Sequence, residues 1–188
     1  MAGRTTQEAV KTFVDSMQQS ASCVTKSVLR LGKNPYEVRE KPHTLTFPDD
    51  PISLRGQEKF ALSVRHDYRI ARDEGPYGRW KVRTVGYYYE LQNESNLEIL
   101  SYHWHPESRS PLMFPHMHIG KGSGATVEGL FEPHFPTPRM ALEDFLWMLI
   151  EDFDVRHERD DWRDILQQNR AAYEEDRTWR YLPTDREV

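Results

Sequence analysis

At 188 residues, with 29% charged and 37% apolar side chains, the chain is long enough for one well-buried core of the ordinary globular kind. It contains no run of eighteen apolar residues, which excludes a membrane-spanning helix. Its single cysteine, Cys23, excludes an internal disulfide and a cysteine-based zinc site. The net charge of −5 divides unevenly: residues 1–72 carry 12 Lys/Arg against 8 Asp/Glu, and residues 138–188 carry 8 against 14. A basic first half suits a phosphate backbone and an acidic end suits a basic partner, although both also describe solvated surfaces.

The first residues, M-A-G-R-T-T-Q-E-A-V-K-T-F-V-D, lack the apolar core of a secretory signal, so a cytoplasmic location is expected. Thr5 to about Ser20 is predicted helical: Ala9, Phe13 and Met17 recur every fourth position beside Val10 and Val14. Thr5 or Thr6 suits the N-cap, and Glu8 lies three residues after Thr5, the spacing of a capping box. The β-branched stretch from Ser22 to Leu31 predicts a strand, and His43 to Phe47 a short one. Gln57 to Arg72 alternates cleanly, with Phe60, Leu62, Val64, His66, Tyr68 and Ile70 on one face. A turn at residues 74–78 leads to a hairpin whose arms are Arg79 to Gln92 and Leu97 to His105, joined by Asn93 to Asn96. In the second arm Ile99, Ser101, His103 and His105 point one way, and Leu100, Tyr102 and Trp104 the other.

Proline dominates from Pro106 to Pro138, so this stretch is predicted as loop. A helix is predicted to open at Thr137-Pro138, with Leu142, Phe145, Leu146, Leu149, Ile150 and Phe153 as its apolar stripe. A more polar helix follows from Asp160 to about Asp176. The predicted class is α+β, in a single domain over residues 1–188. Residues 1–21 form an N-terminal helix, 22–137 an antiparallel sheet of about four or five strands with a histidine-rich loop, 138–180 two helices, and 181–188 a tail.

Five of the eight histidines fall between His103 and His134, four of them as the pairs His103/His105 and His116/His118. Residues i and i+2 of a strand lie about 6.5–7 Å apart and face the same way, so each pair can aim two rings at one point. Converging imidazoles serve either of two chemistries. As ligands, His103, His105, His116 and His118 would hold zinc or another transition metal, with Asp67, Glu90, Glu98 or Glu107 available to complete the set. As an acid and a base, His105, His116 and His118 would cleave a phosphodiester without a metal, Arg109 or Arg139 steadying the phosphate. Tyr87, Tyr88, Tyr89 and Trp104 would supply stacking faces for RNA. Structural roles are expected elsewhere: His66 as a satisfied core histidine, His43 and His157 at the surface, and Tyr87 to Tyr89 in sheet packing.

One resemblance runs through these residues. The step His105-Pro106, then Phe114-Pro115-His116 with His118-Ile119, then Pro136-Thr137 before Leu142-Glu143-Asp144, resembles the TumE-like family of bacterial toxin–antitoxin proteins over about residues 79–153. The chain departs from that pattern in a longer N-terminal portion, a glycine-rich insertion between His118 and Pro136, and an extra acidic helix after Asp154. The resemblance implies a toxin-type protein partnered by an antitoxin. Joined to the histidine chemistry, it gives the leading expectation: a cytoplasmic protein that acts on RNA with no cofactor. A non-catalytic protein that binds a partner through acidic C-terminal helices, and a histidine-based metal module, are the alternatives.

Overall fold

In the computed structural model, residues 2–72, 79–107 and 112–175 are described. They contain three helices and nine strands, and every strand pairing is antiparallel. In chain order these are β1 (Ala2–Gly3), α1 (Thr6–Ala21), β2 (Arg30–Leu31), β3 (His43–Thr46), β4 (Ile52–Ser53) and β5 (Ala61–Arg72). Then come β6 (Trp80–Gln92), β7 (Glu98–Trp104), β8 (His116–Ile119), β9 (Phe135–Pro136), α2 (Leu142–Asp152) and α3 (Trp162–Glu175). The sheet runs β2-β3-β5-β6-β7-β8-β9, with β1 added to β6 and β4 to β5. The α+β class is as the sequence indicates, but the sheet has nine strands among the described residues where four or five were expected. The additional strands are two to four residues long, too short for an alternating pattern to register. Among the described residues no helix is long and apolar enough to cross a membrane.

The three helices cover one face of the sheet. Val10, Phe13 and Met17 of α1, Phe145, Leu146 and Leu149 of α2, and Trp162 and Leu166 of α3 are buried against Leu62, Val64, Tyr87, Tyr89 and Leu91. Phe13 meets Tyr68 at 5.5 Å and Phe145 meets Tyr89 at 5.7 Å between ring centroids. His66 is in this core, as its apolar strand face indicates. One ring nitrogen is 3.0 Å from the Tyr89 hydroxyl and the other 2.9 Å from Thr84 Oγ1. Tyr87 and Tyr89 stack in the core at 4.9 Å, while Tyr88 faces the other way. Among the described residues no α-helix lies on the opposite sheet face, and the histidine pairs project there.

Several expectations are corrected. Residues 22–29 form no strand, because their backbone groups are used elsewhere. The amides of Cys23, Val24 and Thr25 bond back to Ser20 and Ala21, and the Gln18 side chain takes the amide of Leu29 and the carbonyl of Ser27. His43 is buried, not exposed: its ring stacks on Tyr68 at 5.1 Å and one nitrogen lies 2.8 Å from the Glu37 carbonyl. The helix opens at Leu142 rather than at Pro138. The Thr137 amide donates to the Pro115 carbonyl and the Met140 amide to the Tyr87 hydroxyl, so this segment is tied to the sheet before α2 can begin. The proline-rich stretch yields β8 and β9, since Pro115 precedes one strand and Pro136 ends the other. Proline is tolerated at such edge and terminal positions. The turn at residues 74–78 and the tail at 181–188 lie outside the described residues.

Candidate metal centre

Strand register brings the histidines together. His103 of β7 stands opposite His116 of β8, and His118 stands opposite Ser101. Alternation places His103, His116 and His118 on the same helix-free face, as the i, i+2 spacing indicates. Register depends on the chain after β8. The Gly120 amide donates to the Ile99 carbonyl, and a Cβ at Gly120 would lie 2.1 Å from the Glu98 carbonyl oxygen. Glycine at 120 therefore lets the chain close over the start of β7 and fixes which residue opposes which.

The ring of His103 is 5.5 Å from His116 and 4.7 Å from His118, and the two β8 rings are 5.1 Å apart. One ligand nitrogen from each of the three lies within 4.8 Å of the others. A single ion bonded at about 2.0–2.1 Å to each nitrogen needs only modest inward rotation of these rings. His116 Nδ1 is 2.9 Å from the Phe114 carbonyl oxygen, to which it donates; its Nε2 then carries a bare lone pair. Nε2 of His116 and of His103 are both buried with no hydrogen-bond partner among the described residues. Buried polar atoms are rarely left so, and a shared ligand would satisfy both.

Electrostatics favours the uncharged rings. Burial, then the neighbouring imidazoles of His118, His116, His105 and His134, pulls His103 down to about 3. Burial pulls His116 down to about 4 against the opposing pull of the Phe114 carbonyl, and His118 is lowered by burial and by His134 and His105. Neutral imidazole is the form that binds metals.

Of the other residues singled out from the sequence, His105 lies at the rim, 5.4 Å from His116 and 6.0 Å from His103. The four carboxylates are engaged elsewhere. Asp67 accepts from Thr44 and Arg65, Glu98 from Ser101, and Glu107 from Arg69, while Glu90 accepts from Tyr88 and Gln92. The donor set is thus all imidazole. Arg139 is not with the histidines: its guanidinium lies over the Trp104 ring, 3.4 Å from the centroid, beside a cavity of about 340 Å³ on the helix-covered side. Arg109 lies outside the described residues.

Two neighbours take roles that the sequence did not assign to them: Tyr88, expected as a stacking face for RNA, and His134, which was only part of the histidine cluster. The Tyr88 ring packs on His103 at 4.2 Å while its hydroxyl donates to the buried Glu90, which braces the His103 ring. His134 is 4.2 Å from His118 and 5.0 Å from His116. It has no i+2 partner in sequence, and only the pairing of Phe135 with Met117 reveals its place, one position beyond the ladder and beside His118. A groove of about 800 Å³ opens on the same face, lined by Thr46, Arg65, Asp67, Tyr88 and His105 among others. No family model, curated protein or solved structure matches this chain, so the TumE-like resemblance rests on its motif residues alone.

Proposed function

We propose that this protein binds one divalent transition-metal ion, zinc being the natural choice, through His103, His116 and His118. The observation that carries the reading is the pair of buried, unpartnered Nε2 atoms converging on a third imidazole, one of them set in its tautomer by the Phe114 carbonyl. A backbone acceptor on the far nitrogen is the usual companion of a ligating histidine. An all-nitrogen set without cysteine suits zinc, nickel, cobalt or copper rather than magnesium or calcium. Three protein ligands leave one position of a tetrahedral ion for water or a substrate, and an ion so held polarises that water or a bound carbonyl or phosphoryl oxygen. The adjacent groove is where a substrate would lie.

The metal-free acid–base reading has less support. It needs one imidazole charged near neutrality, and burial and mutual repulsion work against charge on His103, His116 and His118. Arg139, one of the two arginines proposed for the phosphate, lies over the Trp104 ring instead. The toxin–antitoxin reading, with an antitoxin or RNA as partner, remains a proposal from the motif residues and gains no separate observation.

Elemental analysis of untagged protein tests the metal reading. About one equivalent of metal is expected, with a fall in melting temperature on chelation that added zinc reverses. Metal content near zero together with melting indifferent to zinc would overturn it.

A further inference from the structure

We infer that His134 is a fourth, displaceable ligand of this centre, so that the site alternates between a closed four-imidazole form and an open three-imidazole form able to take a small exogenous donor. The inference rests on the metal reading above and adds the residue that governs access to it.

Three observations select His134. Among the described residues its ring is the nearest further imidazole to the trio, 4.2 Å from His118 and 5.0 Å from His116, where His105 stands 5.4 Å and 6.0 Å from its closest partners. Its position follows from register. Phe135 opposes Met117 and Pro136 opposes His116, so residue 134 falls beside His118 and on the same face by alternation. Its attachment also differs from that of the other three. His103, His116 and His118 are held within β7 and β8, whereas His134 is exposed and precedes a two-residue edge strand.

Among the described residues the chain between β8 and β9 is held to β7 only at its start, where Gly120 and Gly122 pack on Leu97 and Glu98. Residues 124–134, which deliver His134, contain one short 3-10 turn, Glu128–Leu130, and belong to no strand. Gly124 has a left-handed φ of 71°, and at Gly124 and Gly129 no described atom beyond the adjacent residues comes within 4 Å of where a Cβ would stand. A ligand on such a connection costs little to withdraw, whereas moving a ligand in β7 or β8 would break the sheet ladder. The exchange balances simply: the lone pair of one His134 nitrogen leaves the ion and the lone pair of an incoming water, azide or imidazole replaces it, with no change in oxidation state.

Metal-stripped full-length protein reconstituted with cobalt(II) supplies the test, because cobalt absorption reports ligand number and type. The wild type, His134→Gly and His105→Ala should each take up one cobalt. Failure of the wild type to bind cobalt would sink the metal reading itself and with it this inference. If cobalt binds, His134→Gly should weaken its affinity by at least about tenfold and shift the visible bands. Azide should then bind the variant at concentrations at least about tenfold lower than the wild type requires. Added imidazole should return the variant's bands toward the wild-type positions, a rescue that a merely structural histidine would not show. His105→Ala should leave the spectrum alone. An unchanged spectrum in His134→Gly, absence of imidazole rescue, or a spectral change in His105→Ala instead would each overturn the assignment.

Discussion

Acidification should destabilise the metal-free protein through His66, a residue far from the proposed ligands in role and on the other face of the sheet. The ring is wholly enclosed, and each nitrogen has one hydroxyl partner, which suits a neutral imidazole with one donor and one acceptor. Burial pulls its pKa from 6.5 down to about 4, against the opposing charge of Asp67. The folded value is below the unfolded one, so below pH 6.5 the unfolded chain takes up a proton that the folded protein refuses. The stabilising contribution is complete above pH 6.5 and is lost as the pH falls toward 4. With about 1.4 kcal/mol per pKa unit, the loss from His66 is about 2 kcal/mol at pH 5 and about 3 kcal/mol at pH 4. For a chain of this length, 2 kcal/mol corresponds to roughly 4–8 °C of melting temperature. Urea unfolding of metal-free protein at pH 8, 6 and 5, followed by tryptophan fluorescence, measures it against His66→Gln, which cannot titrate in this range. The wild type should lose about 2 kcal/mol more than the variant between pH 8 and 5. Parallel losses in the two proteins would refute the reasoning, because the acid sensitivity would then belong to other groups.

Gly120→Ala should disrupt the β7–β8 register, since its Cβ would meet the Glu98 carbonyl at 2.1 Å; differential scanning calorimetry should show a lower melting temperature, and zinc stoichiometry should drop below one. Thr5→Ala removes the side-chain acceptor of the Glu8 amide at the start of α1 and should cost about 1 kcal/mol in urea unfolding, with metal binding intact. Trp162→Ala should cost about 3–5 kcal/mol by the same assay, because this side chain is buried in the core and packs on Trp147. A loss below about 1 kcal/mol there would return α3 to the role of an independent partner-binding arm.

Long elements were legible and short ones were not. The α1 stripe, the Thr5 cap, the alternation of β5 and the hairpin around Asn93 all follow from periodicity and turn chemistry, and Asn93 does accept from the Ser95 and Leu97 amides. Strands β1, β2, β4 and β9 have two residues each, fewer than one period can reveal, and they exist because longer neighbours offer them ladder partners. Proline counts misled in the same way, since what matters is whether proline sits within a ladder or at its edge. In the site, the i, i+2 histidine pairs announced a shared face, but cross-strand register chose His103, His116 and His118 from among them. His134 was visible only as one of five clustered histidines until the pairing of Phe135 gave it a place. Arg139 was drawn to the cluster by proximity in sequence, while its stacking on Trp104 holds it beside the helix-covered cavity. Sequence distance measures spatial distance poorly where a chain passes from one side of a sheet to the other.

Calorimetric titration of metal-stripped protein with zinc is the most direct test of the account. The wild type should bind one zinc ion, and the triple variant His103→Ala, His116→Ala, His118→Ala should bind none while circular dichroism shows the same secondary structure. One ion bound by both proteins, or by neither, would contradict the claim that these three imidazoles form a metal centre.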